Sequence, residues 1–206
     1  FYTRKQGRKG LDYEEIIKGI FRKPKTKMKR QDDALYVFMD TSGSMWGYTD
    51  HYGTPILKLF SSYFPQIAKK YDGEIWFSDY SPYNAPEPIK NPIPLKVFRG
   101  QTPPTSVAIG GRGGTEFWGV WQYFDKKSRE AKEKNQNARV MMIFFSDMEA
   151  DFGDGKSKDS RTDLLPLIEN KDVLFITVKG KGEEVEHLID GEQRRLIYID
   201  AKPPKE

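Results

Sequence analysis

Two apolar runs, ALYVFM at 34–39 and VMMIFF at 140–145, each lead within two residues into an aspartate, Asp40 and Asp147. The second run is continuous rather than alternating, the pattern of a strand buried on both faces. If the first is a buried parallel strand as well, Asp40 stands at its carboxyl end, on the rim where open α/β sheets bind ligands. The chain then reads DTSGSM, and a turn through Ser42, Gly43 and Ser44 lets one carboxylate and two hydroxyls face a single point. Mg²⁺ takes six oxygens in near-octahedral geometry and keeps several waters, which suits a site with few charged ligands. Asp and Ser in this pattern also start turns and cap helices, so the motif alone leaves both uses open. Gly43 is read as serving the tight turn and a close approach of the backbone.

The remaining pattern alternates helices with strands. Thr54 and Pro55 offer a helix cap and first turn. Ile56, Phe60, Tyr63, Phe64, Ile67 and Tyr71 then follow at helical spacing, with Pro65 expected to kink that helix. EIWFSD, ending at Asp79, predicts a second strand, and PLKVFRG a short edge strand flanked by prolines. Beyond the glycine-rich loop IGGRGGTEF, Phe117, Val120, Trp121 and Phe124 mark the buried face of a helix running from Glu116 to about Asn135. A short helix near Leu164 to Glu169 precedes DVLFITV, EEVEHLI and RRLIYID, read as strand, helix and strand. Such alternation predicts an α/β fold: a doubly wound, mostly parallel, Rossmann-like sheet with helices on both faces and one short edge strand.

A chain of 206 residues with 37% hydrophobic content supports one substantial core. The expected division is a basic N-terminal arm with a short helix and linker over 1–33, the α/β domain over 34–200, and a tail over 201–206. Residues 1–30 hold eleven Lys or Arg against three Asp or Glu, a surplus of eight, so the rest of the chain carries −4 of the net +4. That arm reads as a solvated linker first and as a contact for nucleic acid or an acidic partner second. Cysteine is absent, which excludes disulfides and thiolate zinc sites and fits a cytoplasmic protein. No apolar stretch approaches the roughly 18 residues of a membrane span.

Asp40, Ser42, Ser44, Thr115 at the end of the glycine loop and Asp147 after the most apolar strand fall in this order on one predicted rim. Here the chain resembles the von Willebrand factor A (VWA) family, whose metal-ion-dependent adhesion site (MIDAS) is written DxSxS, then a Thr in a loop, then an Asp at a strand end. GRGGTEF and FFSDMEADF resemble the intracellular branch that includes bacterial proteins in which a metallopeptidase-like region precedes the A-like domain. This chain has no HExxH, and His51 and His187 stand apart. The resemblance implies Mg²⁺, or Mn²⁺ or Ca²⁺ in its place, held by Ser42 and Ser44 directly and by Thr115 directly or through water. Asp40 and Asp147 would accept hydrogen bonds from the bound waters and hydroxyls. It implies a non-enzymatic module that docks one carboxylate from a protein partner, an ATPase or a larger assembly. Gly110, Gly111, Gly113 and Gly114 would let the Thr115 loop move between weak and strong binding.

Trp46, Tyr48, His51 and Tyr52 could line the partner-recognition rim or simply pack their own loop. Glu149, Asp151 and Asp154 read as a solvated acidic loop, Asp79 as a turn cap, and Trp118 and Trp121 as core. Two other functions compete. An Mg²⁺-dependent phosphohydrolase of the haloacid dehalogenase type also begins from an Asp after the first strand, but it places a second acid where this chain has Ser42. A nucleic-acid-associated role through the basic arm would give salt-sensitive, nonspecific affinity, since no aromatic-interleaved motif accompanies the charge.

Overall fold

The computed structural model of the chain describes residues 33–77, 92–99, 120–148, 166–178, 181 and 195–203. Six strands lie in one sheet: β1 (Ala34–Met39), β2 (Asp72–Phe77), β3 (Ile93–Pro94), β4 (Val140–Phe145), β5 (Val173–Val178) and β6 (Leu196–Ile199). Their order is β3-β2-β1-β4-β5-β6, parallel throughout except for β3, which runs antiparallel at the edge against β2. β1 and β4 are therefore central, and both are almost wholly buried, as their unbroken apolar sequences require. The chain winds outward from β1 in one direction and from β4 in the other. The crevice between their carboxyl ends is the topological switch point at which such sheets bind ligands.

Alternate strand residues feed two separate cores, one on each face. Val37, Met39, Ile143, Phe145, Ile176 and Val178 pack against α1 (Gly43–Gly47), α2 (Ile56–Ser61) and α3 (Phe64–Ala68). Tyr36, Phe38, Trp76, Phe144 and Phe175 pack against α4 (Val120–Lys134) and a helical turn at 166–169. Helices thus cover both faces, as the alternation predicts. On the α4 side Phe38 and Phe144 stack with centroids 4.7 Å apart, and Phe144 meets Phe175 at 5.4 Å. This row of rings, each ring contact worth about 0.5–1.5 kcal/mol beyond its burial, is a stiff floor one step below the strand ends.

Four local expectations need correction. The predicted strand over PLKVFRG is a pairing of Ile93 and Pro94 followed by a 3-10 helix, Leu95–Phe98. Leu95 and Phe98 are buried while Lys96 and Val97 face solvent, a period of three rather than two, and Pro94 has no N–H with which to extend a ladder. The long helix after Pro55 is not kinked but divided into α2 and α3, with Ser62 and Tyr63 as the turn. Pro65 falls in the first turn of α3, where its missing N–H has no bond to break, whereas in a continuous helix its ring would meet the Ser61 carbonyl. The apolar stripe survives the break: Ile56, Phe60, Phe64 and Ile67 are all buried.

Thr54 does not cap α2. Pro55 occupies the N-cap without a side-chain bond, and the Thr54 amide donates to Asp50 instead. Gly43, finally, serves no close approach. A Cβ there would touch nothing within 4 Å, and its φ is not positive; it simply opens α1.

The segment after β6 joins the body: the Thr49 and Lys202 amides and carbonyls bond each other at 3.1 and 2.7 Å, and Ala201 packs on the first core. The basic arm at 1–30, the EEVEHLI helix and Asp79 lie outside the described residues, and among those described no helix is long and apolar enough to cross a membrane.

Candidate metal centre

The β1–β4 register carries Met39 opposite Phe145, and one further bond, Asp40 N–H to Phe145 O at 2.8 Å, continues the ladder past the end of β1. Asp40 is thereby placed opposite Ser146, with Asp147 one residue on. Asp40, Thr41, Ser146 and Asp147 have no solvent exposure and Ser42 only 4%. Polar side chains so deeply placed at strand ends need partners. Both Asp40 carboxylate oxygens have one: Oδ1 accepts the Ser42 amide at 2.8 Å, and Oδ2 accepts the Ser146 hydroxyl at 2.6 Å.

The turn after Asp40 uses the Asp but not the Ser in the local way open to both. Asp40 makes the Asx-type bond to the amide two residues on, so it does shape its turn. Ser42 stands at the N-cap of α1 yet makes no side-chain cap bond. Its Oγ lies instead 3.0 Å from Ser44 Oγ, one hydroxyl buried and the other half-exposed. The serines of DTSGSM face each other rather than the helix end. Among the described residues no three His, Asp or Glu side chains gather as a metal cluster.

The rim brings together Asp40, Ser42 and Ser44, with Asp147 at the neighbouring strand end. Thr115 and its glycines, Glu149, Asp151, Asp154, Trp118 and His187 lie outside the described residues. Sequence reading missed Ser146, whose hydroxyl donates to Asp40. Ser146 was findable only from strand pairing: with β4 beside β1 in this register, the residue before Asp147 has to face Asp40.

Next to the site, the loop 49–55 is set by Asp50, whose Oδ1 accepts the Tyr52 and Thr54 amides at 2.9 and 2.7 Å, while Gly53 takes a positive φ of 82°. The four aromatic and imidazole side chains proposed for the rim separate here. Tyr48 is buried in the core, whereas Trp46 is 39% exposed, Tyr52 is 94% exposed and His51 faces solvent. Trp121, as expected, packs on the second core.

No family model and no curated protein matches the chain. Among solved structures, the crystal structure of the SpRpn10 VWA domain is similar at 14% identity with a TM-score of 0.45, over 84% of this chain and 89% of that one.

Proposed function

We propose that this chain is a metal-dependent protein-interaction module that holds Mg²⁺ at the β1–β4 rim and docks a carboxylate from a partner protein. The observation that carries the reading is the 3.0 Å separation of the Ser42 and Ser44 hydroxyl oxygens. Two neighbouring ligands of an octahedral Mg²⁺ with 2.0–2.1 Å bonds stand about 2.9 Å apart, so this hydrogen-bonded pair already has the spacing of one edge of the octahedron, and only the hydroxyl proton between the two oxygens has to turn away. Ser42 and Ser44 are the direct donors, and Thr115, next in the order of the VWA-like motif, is the third. Asp40, with a donor already on each oxygen, acts through the hydroxyls and waters around the ion, and Asp147 supports it from the adjoining strand end. When bound, the cation supplies a Lewis-acidic position that accepts an anionic oxygen.

The residues on the rim favour binding over catalysis. Hydroxyl donors leave the ion's charge largely uncompensated, which favours capture of a carboxylate, and the site lacks a second acid at Ser42 of the kind a phosphoaspartate mechanism uses. Calorimetric titration with MgCl₂ tests the metal, and a binding assay run in Mg²⁺ and again in EDTA tests the partner. The expected result is saturable Mg²⁺ binding that Ser42→Ala weakens, together with partner capture that EDTA and Asp40→Ala abolish. Partner capture unchanged by either would overturn the carboxylate-bridge reading.

A further inference from the structure

We infer that Ser146 is a positioning residue for this site, one hydroxyl that fixes both the carboxylate of Asp40 and the backbone that presents Asp147; the inference rests on the metal reading above. Ser146 N–H donates to Ile176 O at 3.1 Å, which ties its backbone to β5 as β4 ends. Its Oγ then makes two bonds of opposite sense: it accepts the Met148 amide at 2.9 Å and donates to Asp40 Oδ2 at 2.6 Å. A serine hydroxyl has a single proton. With the Met148 N–H pointing at Oγ, that proton is committed to Asp40, and the bond direction is fixed.

The acceptor half of the arrangement matters equally. Met148 has φ of 62°, a left-handed conformation that L-residues with a side chain seldom adopt. The bond from its amide to Ser146 Oγ holds that turn closed, and Asp147 is the residue enclosed by it. On the other side, Asp40 is clamped between the Ser42 amide on Oδ1 and Ser146 on Oδ2, so its carboxylate plane cannot rotate. Removal of one hydroxyl leaves Asp40 Oδ2 without its Ser146 donor and opens the turn around Asp147, while the backbone ladder that sets the register stays in place. Groups that orient the surroundings of a metal in this way typically account for 10–100-fold in affinity.

The test uses the full chain as wild type, Ser146→Ala and Ser146→Thr, each followed by calorimetric titration with MgCl₂ and by thermal unfolding with and without Mg²⁺. Ser146→Ala is expected to lose about tenfold or more in Mg²⁺ affinity and most of the Mg²⁺-dependent rise in Tm. Ser146→Thr, which keeps the hydroxyl, is expected to stay within about threefold of wild type. A merely structural serine would lower Tm equally with and without the metal. Wild-type affinity in Ser146→Ala therefore overturns this inference and leaves the metal reading standing. A wild-type protein with no Mg²⁺ response overturns the metal reading and this inference with it. Should Ser146→Ala not fold, Ser146→Cys, close in size but a weak donor, is measured in its place, and wild-type affinity there overturns the inference equally.

Discussion

Ser42 Oγ and Ser44 Oγ sit 3.0 Å apart on the open side of the turn that Asp40 anchors. Neither the helix cap nor the strand ladder uses this contact, so deleting it is expected to spare the fold while removing both of the proposed metal donors. Saturating Mg²⁺, at about 100 times Kd, stabilises a folded state by about 2.7 kcal/mol, or about 5–10 °C in Tm for a domain of this size. The wild type is expected to show that rise. The double variant Ser42→Ala, Ser44→Ala is expected to unfold within about 2 °C of wild type in EDTA and to gain about 1 °C or less from Mg²⁺. Differential scanning fluorimetry across an MgCl₂ series reads both effects.

Gly73 belongs to the framework of the sheet. It sits opposite Leu35 in the β1–β2 register with φ of 141°, and a Cβ at that position would lie 2.0 Å from the Leu35 carbonyl oxygen. The obstacle is backbone in the central strand, which cannot move without disturbing its pairing with β4 as well. Gly73→Ala is expected to cost more than about 3 kcal/mol, among the largest single-residue effects for a residue without a side chain. Urea unfolding followed by tryptophan fluorescence measures it; a loss below about 1 kcal/mol would contradict the crowding.

Most of the sheet was legible because burial on both faces leaves a simple mark. ALYVFM is β1 to the residue, and RVMMIFFSD, DVLFITV and RRLIYID contain β4, β5 and β6. What failed was decided by contacts rather than by local pattern. Leu95 and Phe98 could satisfy a strand or a 3-10 turn, and only their shared burial beneath α3 and β2 selects the turn. Pro65 announces an interruption, but whether the helix bends or breaks depends on whether the next turn can start afresh with proline inside it. At the site, Asp40, Ser42, Ser44 and Asp147 were readable as a motif in sequence order. Ser146 was not, because its role comes from a partner 106 positions away that only the β1–β4 register supplies.

The aromatic residues beside the site divide into framework and surface, which makes their effects separable. Tyr48 is 6% exposed in the first core, so Tyr48→Ala is expected to cost about 3 kcal/mol in stability whatever its effect on binding. Tyr52 is held out into solvent by the Asp50 turn, and Trp46 projects from α1 two residues beyond Ser44. Trp46→Ala and Tyr52→Ala are expected to change stability by no more than about 0.5 kcal/mol while weakening capture of a protein partner by tenfold or more, as exposed aromatic anchors at interfaces do. Paired unfolding and binding measurements on the three variants check the division. Unchanged partner affinity in both surface variants would contradict a recognition role for Trp46 and Tyr52.

Far from that rim, Glu74 ties β2 to α4: Lys127 Nζ lies 3.0 Å from Oε1, and Trp76 Nε1 and Tyr123 OH donate to Oε2 at 3.0 and 3.4 Å. Burial alone would pull the Lys127 pKa down, but its hydrogen bond and attraction to Glu74 outweigh this and push it up to about 12. Tyr36 is pushed up to about 12 by burial first and by the Glu74 charge second. In both residues the folded state holds its proton more tightly than the unfolded state, whose values are near 10.5 and 10.0. Below pH 10 neither group makes stability depend on pH. As pH rises from about 10 toward 12 the unfolded chain releases these protons first, and stability falls. Glu74→Gln removes the charge that raises Lys127 and adds to the burial effect on Tyr36, so the variant is expected to be less stable by about 1–2 kcal/mol at neutral pH, yet to lose less on further alkalinisation. Urea midpoints for wild type and Glu74→Gln at intervals from pH 7 to about pH 11.5 test this. Parallel alkaline slopes in the two proteins would show that Glu74 does not hold the proton on Lys127.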